Sequence, residues 1–178
     1  MITDISTNRK DFITTIINLS SYSSYLELGV DNGRNIVHVA TNTKALCVGV
    51  DVNEPNSYLG FEFYKMTTSE FFKSNHAKFD VVFIDACHNI TSVIEDLENS
   101  VRVLNRNGVV LLHDVDPIGK EFIDDGGTNY SANAYKIVNH ISTNCPELNV
   151  VVLPIDETGI AIVNKKLDRR IYNYMGGA

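Results

Sequence analysis

The segment Glu27-Leu28-Gly29-Val30-Asp31-Asn32-Gly33 decides how this chain folds. It follows an apolar run, Ser24 to Leu28, and precedes a stretch of helical periodicity from Arg34 to Thr41. A strand that turns at once into a helix needs backbone freedom at the turn. Glycine supplies it, because without a Cβ it accepts positive φ and lets a ligand or another backbone come close. Gly29 and Gly33 stand at the two ends of that turn. A second apolar run, Ala45 to Val50, ends at Asp51 and completes a strand-helix-strand unit. Such a crossover joins parallel strands.

Outward from this unit the same alternation continues. A helix over Arg9 to Leu19, with Phe12, Ile16 and Leu19 on one face, precedes it and covers the sheet. A third strand, Phe61 to Lys65, leads into Thr67-Thr-Ser-Glu70, where Thr67 as N-cap and Glu70 three residues later form a capping box. The fourth strand, Asp80 to Ile84, is apolar through its middle, as a strand covered on both faces should be, and ends at Asp85. A helix over Ile90 to Leu104 follows, with Asn107-Gly108 as its terminator. The fifth strand, Val109 to Leu112, ends at His113-Asp114. A polar loop from Val115 to Ser131, a helix from Ala132 to Thr143 and two strands, Asn149 to Leu153 and Gly159 to Val163, close the chain. The short turn between those last two strands makes them a hairpin. The expected fold is α/β: a single Rossmann-like, doubly wound sheet, mostly parallel, with one antiparallel strand in a C-terminal hairpin, forming one domain over residues 1–178.

In an open parallel sheet, ligands bind beyond the carboxyl ends of the strands. Here four strands end at the Gly29 loop, Asp51, Asp85 and Asp114. Asp51, about 20 residues after the glycine turn, is placed to accept hydrogen bonds from ribose hydroxyls. A dinucleotide fingerprint beginning at Gly29 would need glycine where the chain has Asp31 and Arg34. A carboxylate at Asp31 would also repel the pyrophosphate that a helix N-terminus attracts. S-adenosylmethionine has no phosphate and carries a sulfonium, so Glu27, Asp31 and Asp85 favour it.

At these residues the chain resembles the class I S-adenosylmethionine-dependent methyltransferases, from Tyr25 to about Val163. Glu27 to Gly33 resembles their glycine-rich first motif in the ExGxxxG form of small-molecule O-methyltransferases. Val48-Gly-Val-Asp51 resembles the ribose-binding motif. Phe79-Asp-Val-Val-Phe-Ile-Asp85-Ala-Cys-His88 resembles FDxxFIDGxH, with Ala86 for the usual glycine, and Asn107 to Val115 resembles GGxxxxHD with a single glycine. The resemblance implies cofactor contacts from Glu27, Gly29, Asp31, Gly33, Asp51, Val52, Thr68, Ser69 and Asp85. It implies catalysis at Asp85 with His88 or His113 as general base, since a neutral imidazole accepts a proton near pH 7. Metal-dependent members place a divalent ion such as Mg2+ on positions matching Asp85, Asp114 and Val115. Valine cannot coordinate, so the expected metal set is Asp85, His88 and Asp114, with Asp116 as the other substitute for the third ligand.

Composition bounds the partners. The chain has 178 residues, 44% of them hydrophobic, with a formal net charge of -7. A negative chain repels a phosphate backbone, so nucleic acid is not expected. The cluster Lys165, Lys166, Arg169 and Arg170 reads as a solvated face. No run approaches the roughly 20 apolar residues of a membrane span, and Met1 to Lys10 lacks the pattern of a secretory signal, so a cytoplasmic location is expected. Cys47, Cys87 and Cys145 are read as free thiols. The expected activity is methyl transfer to a small hydroxylated molecule, with a homodimer completing the pocket as one arrangement. The alternatives are a non-catalytic cofactor-binding or interaction protein and an NAD-dependent oxidoreductase.

Overall fold

The computed structural model describes residues 8–123 and 131–166. Seven strands form one sheet in the order β3-β2-β1-β4-β5-β7-β6. They are β1 (Ser24–Leu28), β2 (Leu46–Asp51), β3 (Phe61–Lys65), β4 (Phe79–Ile84), β5 (Leu104–His113), β6 (Leu148–Leu153) and β7 (Ile160–Lys165). The first five are parallel, and β7 runs antiparallel between β5 and β6. The strand order reverses between β1 and β4, which opens a crevice at their carboxyl ends.

Helices α1 (Arg9–Ser20), α2 (Arg34–Asn42), α3 (Thr68–Ser74), α4 (Ile90–Val103) and α5 (Ile137–Asn144) cover the sheet. Strand side chains alternate between faces, and the core divides accordingly. Leu26, Leu28, Val82, Ile84, Val110 and Leu112 pack toward α3, α4 and α5 with Phe71, Val93, Leu97, Ile137 and Ile141. Tyr25, Val81, Phe83 and Leu111 pack toward α1 and α2 with Ile13, Ile17, Ile36 and Val39. Among the described residues, no helix is long and apolar enough to cross a membrane.

Three sequence expectations need correction. The buried stripe of α1 is Ile13 and Ile17, flanked by Phe12 and Ile16, whereas Leu19 is 82% exposed. Leu19 falls in the last turn, past the edge of the sheet-facing stripe. Asn107-Gly108 does not end α4: the helix stops at Val103 and β5 starts at Leu104, which pairs with Phe79. The ladder slips before Val81 meets Val109, and a Cβ on Gly108 would lie 2.7 Å from the Asp80 carbonyl oxygen, so this glycine serves a bulge in the strand. The helix expected from Ala132 begins as a turn and a short 3-10 segment, and becomes α-helical only at Ile137. Within the loop expected over Val115 to Ser131, residues 124–130 lie outside the described part, as do Arg169 and Arg170 of the basic cluster.

Candidate active site

The glycine turn is held by Asp51 at the end of β2. Its Oδ2 accepts the backbone N–H groups of Val30 and Asp31, each at 2.9 Å, and its Oδ1 accepts that of Asn53 at 2.8 Å. Two successive amides pointing at one carboxylate fix the turn in register with the neighbouring strand. Gly29, at φ 87°, is required here because a Cβ would stand 2.2 Å from the Asp85 carbonyl oxygen. Asp31 adopts φ 48°, a left-handed conformation that aspartate tolerates better than most residues. Gly33 is the N-cap of α2.

Above this turn lies a cavity of about 770 Å³. Gly29, Asp31, Asp51, Val52, Thr68, Ser69 and Asp85 line it, joined by Asn53, Met66, Ser92, Glu95 and Asp96 among others. Among the described residues, five that line it carry carboxyl groups (Asp31, Asp51, Asp85, Glu95 and Asp96), and none is Lys, Arg or His. Thr68 and Ser69 reach the cavity because the capping box forms: the Thr67 hydroxyl receives the Glu70 N–H and the Glu70 carboxylate receives the Thr67 N–H. Asp96 is 2% exposed on the buried face of α4, and burial pushes its carboxyl up to about 6 against an opposing hydrogen bond from Thr68.

Glu27 and Gly33 are not part of the cavity lining. Glu27 points to the α2 face of the sheet, 1% exposed, where its Oε2 accepts the Tyr25 hydroxyl at 2.5 Å and the Asn35 amide at 2.7 Å. Burial pushes its carboxyl up to about 8, beyond what those two hydrogen bonds restore.

Beside the cavity, sharing Asp85 with it, stands a second cluster. His113 Nδ1 is 3.1 Å from Asp85 Oδ1 and 3.4 Å from Asp114 Oδ1. His88 Nε2 is 3.1 Å from Asp114 Oδ2 and 3.8 Å from Asp85 Oδ1. Ser131 donates to Asp114 Oδ1 at 3.1 Å. Arg9, from the first turn of α1, places Nη1 3.3 Å from His113 Nε2 and Nη2 3.9 Å from Asp85 Oδ2. Burial raises the Asp85 carboxyl, but the charge and hydrogen bonding of His113, with His88 and Arg9, hold it well below the usual carboxylate range. Burial likewise works against the His113 imidazolium, and the charge of Asp85 with the hydrogen bonds of both aspartates reverses it, pushing His113 up to about 9.

The donor groups of Asp85, His113 and Asp114 lie within 4.8 Å of one another, a spacing that admits a metal ion. Their chemistry does not favour one. The His113 nitrogen that faces the carboxylates lies between two acceptors, the setting of an N–H rather than of a bare lone pair. Val115 is buried and apolar where a third oxygen ligand is expected. Asp116 is exposed.

Sequence reasoning missed Glu95 and Asp96, whose signal was available: Asp96 interrupts the stripe Val93, Leu97, Ser100 with a carboxyl group at a core-facing position. Arg9 gave no local signal, since its partner His113 is 104 positions away.

The family model described as "Methyltransferase domain" matches residues 26–115, half of the chain. No curated protein sequence matches the chain significantly. Among solved structures, the chain is similar to cofactor-bound Rv0187 from MTB, at TM-score 0.71 and 15% identity over 92% of this chain and 82% of that one. It is similar to the O-methyltransferase TomG from Streptomyces achromogenes, involved in tomaymycin synthesis and solved with SAM (TM-score 0.68, 13% identity, 89% of this chain and 80% of that one). It is also similar to an O-methyltransferase from Bacillus cereus in complex with SAH (TM-score 0.67, 15% identity, 93% and 84%).

Proposed function

The chain belongs to the methyltransferase-domain family, and from that premise we propose that it transfers a methyl group from S-adenosylmethionine to a small hydroxylated acceptor. One observation carries the reading: among the described residues, the cavity over the glycine turn is lined by five carboxyl groups and no basic side chain. That lining suits a cationic cofactor and opposes a pyrophosphate, whose binding calls on N–H groups and positive charge. It therefore also argues against the nicotinamide alternative.

When bound, S-adenosylmethionine supplies a methyl group made electrophilic by its sulfonium sulfur. Gly29 leaves room for the cofactor's close approach to the backbone. A carboxylate has about four acceptor positions, so Asp51 can hold the turn through three N–H groups and still receive one ribose hydroxyl. Asp31 and Val52 border that position, and Thr68 and Ser69 serve the adenine side. Glu27 acts from behind the turn through Asn35 of α2. Asp85, shared by cavity and cluster, faces the reacting centre as an ionised group held by His113.

The acceptor hydroxyl must lose its proton as the new bond forms. We assign that proton to His88. Its side chain is 31% exposed against 8% for His113, and the buried Asp114 carboxylate stands ready to balance the charge it gains. His113 lies between two carboxylates and keeps its proton, orienting Asp85.

Calorimetric titration with S-adenosylmethionine, S-adenosylhomocysteine and NAD tests the reading. The first two are expected to bind and NAD is not. Binding of NAD in place of S-adenosylmethionine would overturn it. Tight cofactor binding with no turnover across a panel of hydroxylated acceptors would leave a cofactor-binding protein without catalysis.

A further inference from the structure

We propose that Arg9 is the resident cation of this site, set beside Asp85 and serving in place of the divalent ion that metal-dependent methyltransferases hold, so that the site works without one. The inference rests on the functional reading above, but its geometry is independent of the cofactor.

Arg9 is fixed from several directions. Its backbone N–H donates to Asp156 Oδ2 at 3.2 Å, in the turn between β6 and β7, and its Nη1 lies 3.9 Å from the same oxygen. Asn8, the N-cap of α1, sets the helix start by accepting the Asp11 N–H at 3.1 Å. From that anchor the guanidinium extends over the cluster, 3.3 Å from His113 Nε2 and 3.9 Å from Asp85 Oδ2. The first turn of α1 is thereby tied to the ends of β4 and β5 by one side chain.

The cluster then carries its own charge balance. Asp85 faces Arg9, His88 and His113, and Asp114 faces His88, His113 and Ser131. A divalent ion between Asp85 and Asp114 would displace those hydrogen bonds and meet the guanidinium at close range, where like charges repel strongly in a partly dry site. The third ligand position is the buried Val115. Each observation points the same way: the positive charge next to Asp85 is covalent and does not exchange with solvent.

Arg9 is also suited to do what such an ion would do. A guanidinium has five N–H donors and keeps its charge at any working pH. Its side chain is 39% exposed, so an acceptor that comes up beside the cluster can reach it. There it donates to the acceptor oxygen and stabilises the negative charge that develops as His88 takes the proton.

Mn2+ binding followed by electron paramagnetic resonance, on the wild-type chain and on Arg9→Ala and Arg9→Gln, tests the proposal without knowledge of the acceptor. Wild type is expected to leave millimolar Mn2+ free, and both variants are expected to bind it once one of the positive charges beside Asp85 is removed. Far-ultraviolet circular dichroism and the urea midpoint, expected to be close to wild type for both variants, verify that they are folded. Mn2+ bound by the wild-type chain, or by none of the three, overturns the proposal. Failure of S-adenosylmethionine to bind the wild-type chain would instead sink the functional reading and leave the Mn2+ result standing. With an acceptor in hand, Arg9→Gln is expected to lower kcat by about 100-fold with KM for the cofactor unchanged, and added Mn2+ to restore part of the loss.

Discussion

Glu27 shows how one side chain links the glycine turn to the stability of the whole. Its carboxyl is raised from 4.5 to about 8 by burial, so the folded chain holds a proton that the unfolded chain releases above pH 4.5. Stability falls wherever the native state binds more protons than the unfolded one. This group's contribution therefore declines as pH rises from 4.5 to about 8 and is flat above that. His113, raised from 6.5 to about 9, adds to stability below 6.5 and loses that contribution as pH rises to about 9. The windows overlap, so the readout is the difference between proteins. Glu27→Gln keeps an acceptor for Tyr25 and Asn35 and removes the titration. Urea denaturation at pH 5 and pH 9 is expected to show a smaller loss for the variant, by an amount on the order of a few kcal/mol. An identical pH dependence in the two proteins would show that Glu27 is ionised in the folded chain.

At the scale of elements, short segments place site residues through their caps and turns. Helix α3 has only seven residues, too few to persist without tertiary packing and a good N-terminus. Thr67 provides that terminus, and the next two residues, Thr68 and Ser69, enter the cavity. Replacing Thr67 by alanine is expected to cost about 1 kcal/mol in denaturant unfolding and to weaken S-adenosylmethionine binding in calorimetry. If stability falls and affinity does not, the first turn of α3 has no part in holding the cofactor. Strand β5 shows the opposite case, in which a local signal misleads. Asn-Gly after a helical stripe is a regular terminator, yet Leu104 is drawn into the ladder by its pairing with Phe79, and Gly108 becomes the residue that lets the strand pass close to Asp80.

For the molecule as a whole, the two apolar clusters lie on opposite faces of the same strands. Neither can lose its packing without exposing the back of the other. We propose on this basis that the chain is one domain and unfolds in a single step. Near-ultraviolet signals from its tyrosines and far-ultraviolet signals from its backbone are expected to give coincident urea transitions. Two separated midpoints would show that the halves fold independently. By itself the sequence determined the alternation of strands and helices, the antiparallel hairpin, the capping box and the acidic residues at the strand ends, because each rests on periodicity or on contacts a few positions apart. Only the tertiary structure decided that Glu27 turns away from the cavity, that Asp96 turns into it, and that Arg9 reaches the cluster at the ends of β4 and β5. Those outcomes depend on which face of a packed layer a side chain meets and on contacts across as many as 147 positions, as between Arg9 and Asp156. No local pattern records them, since the partners come together only when the sheet and its two helical layers are assembled.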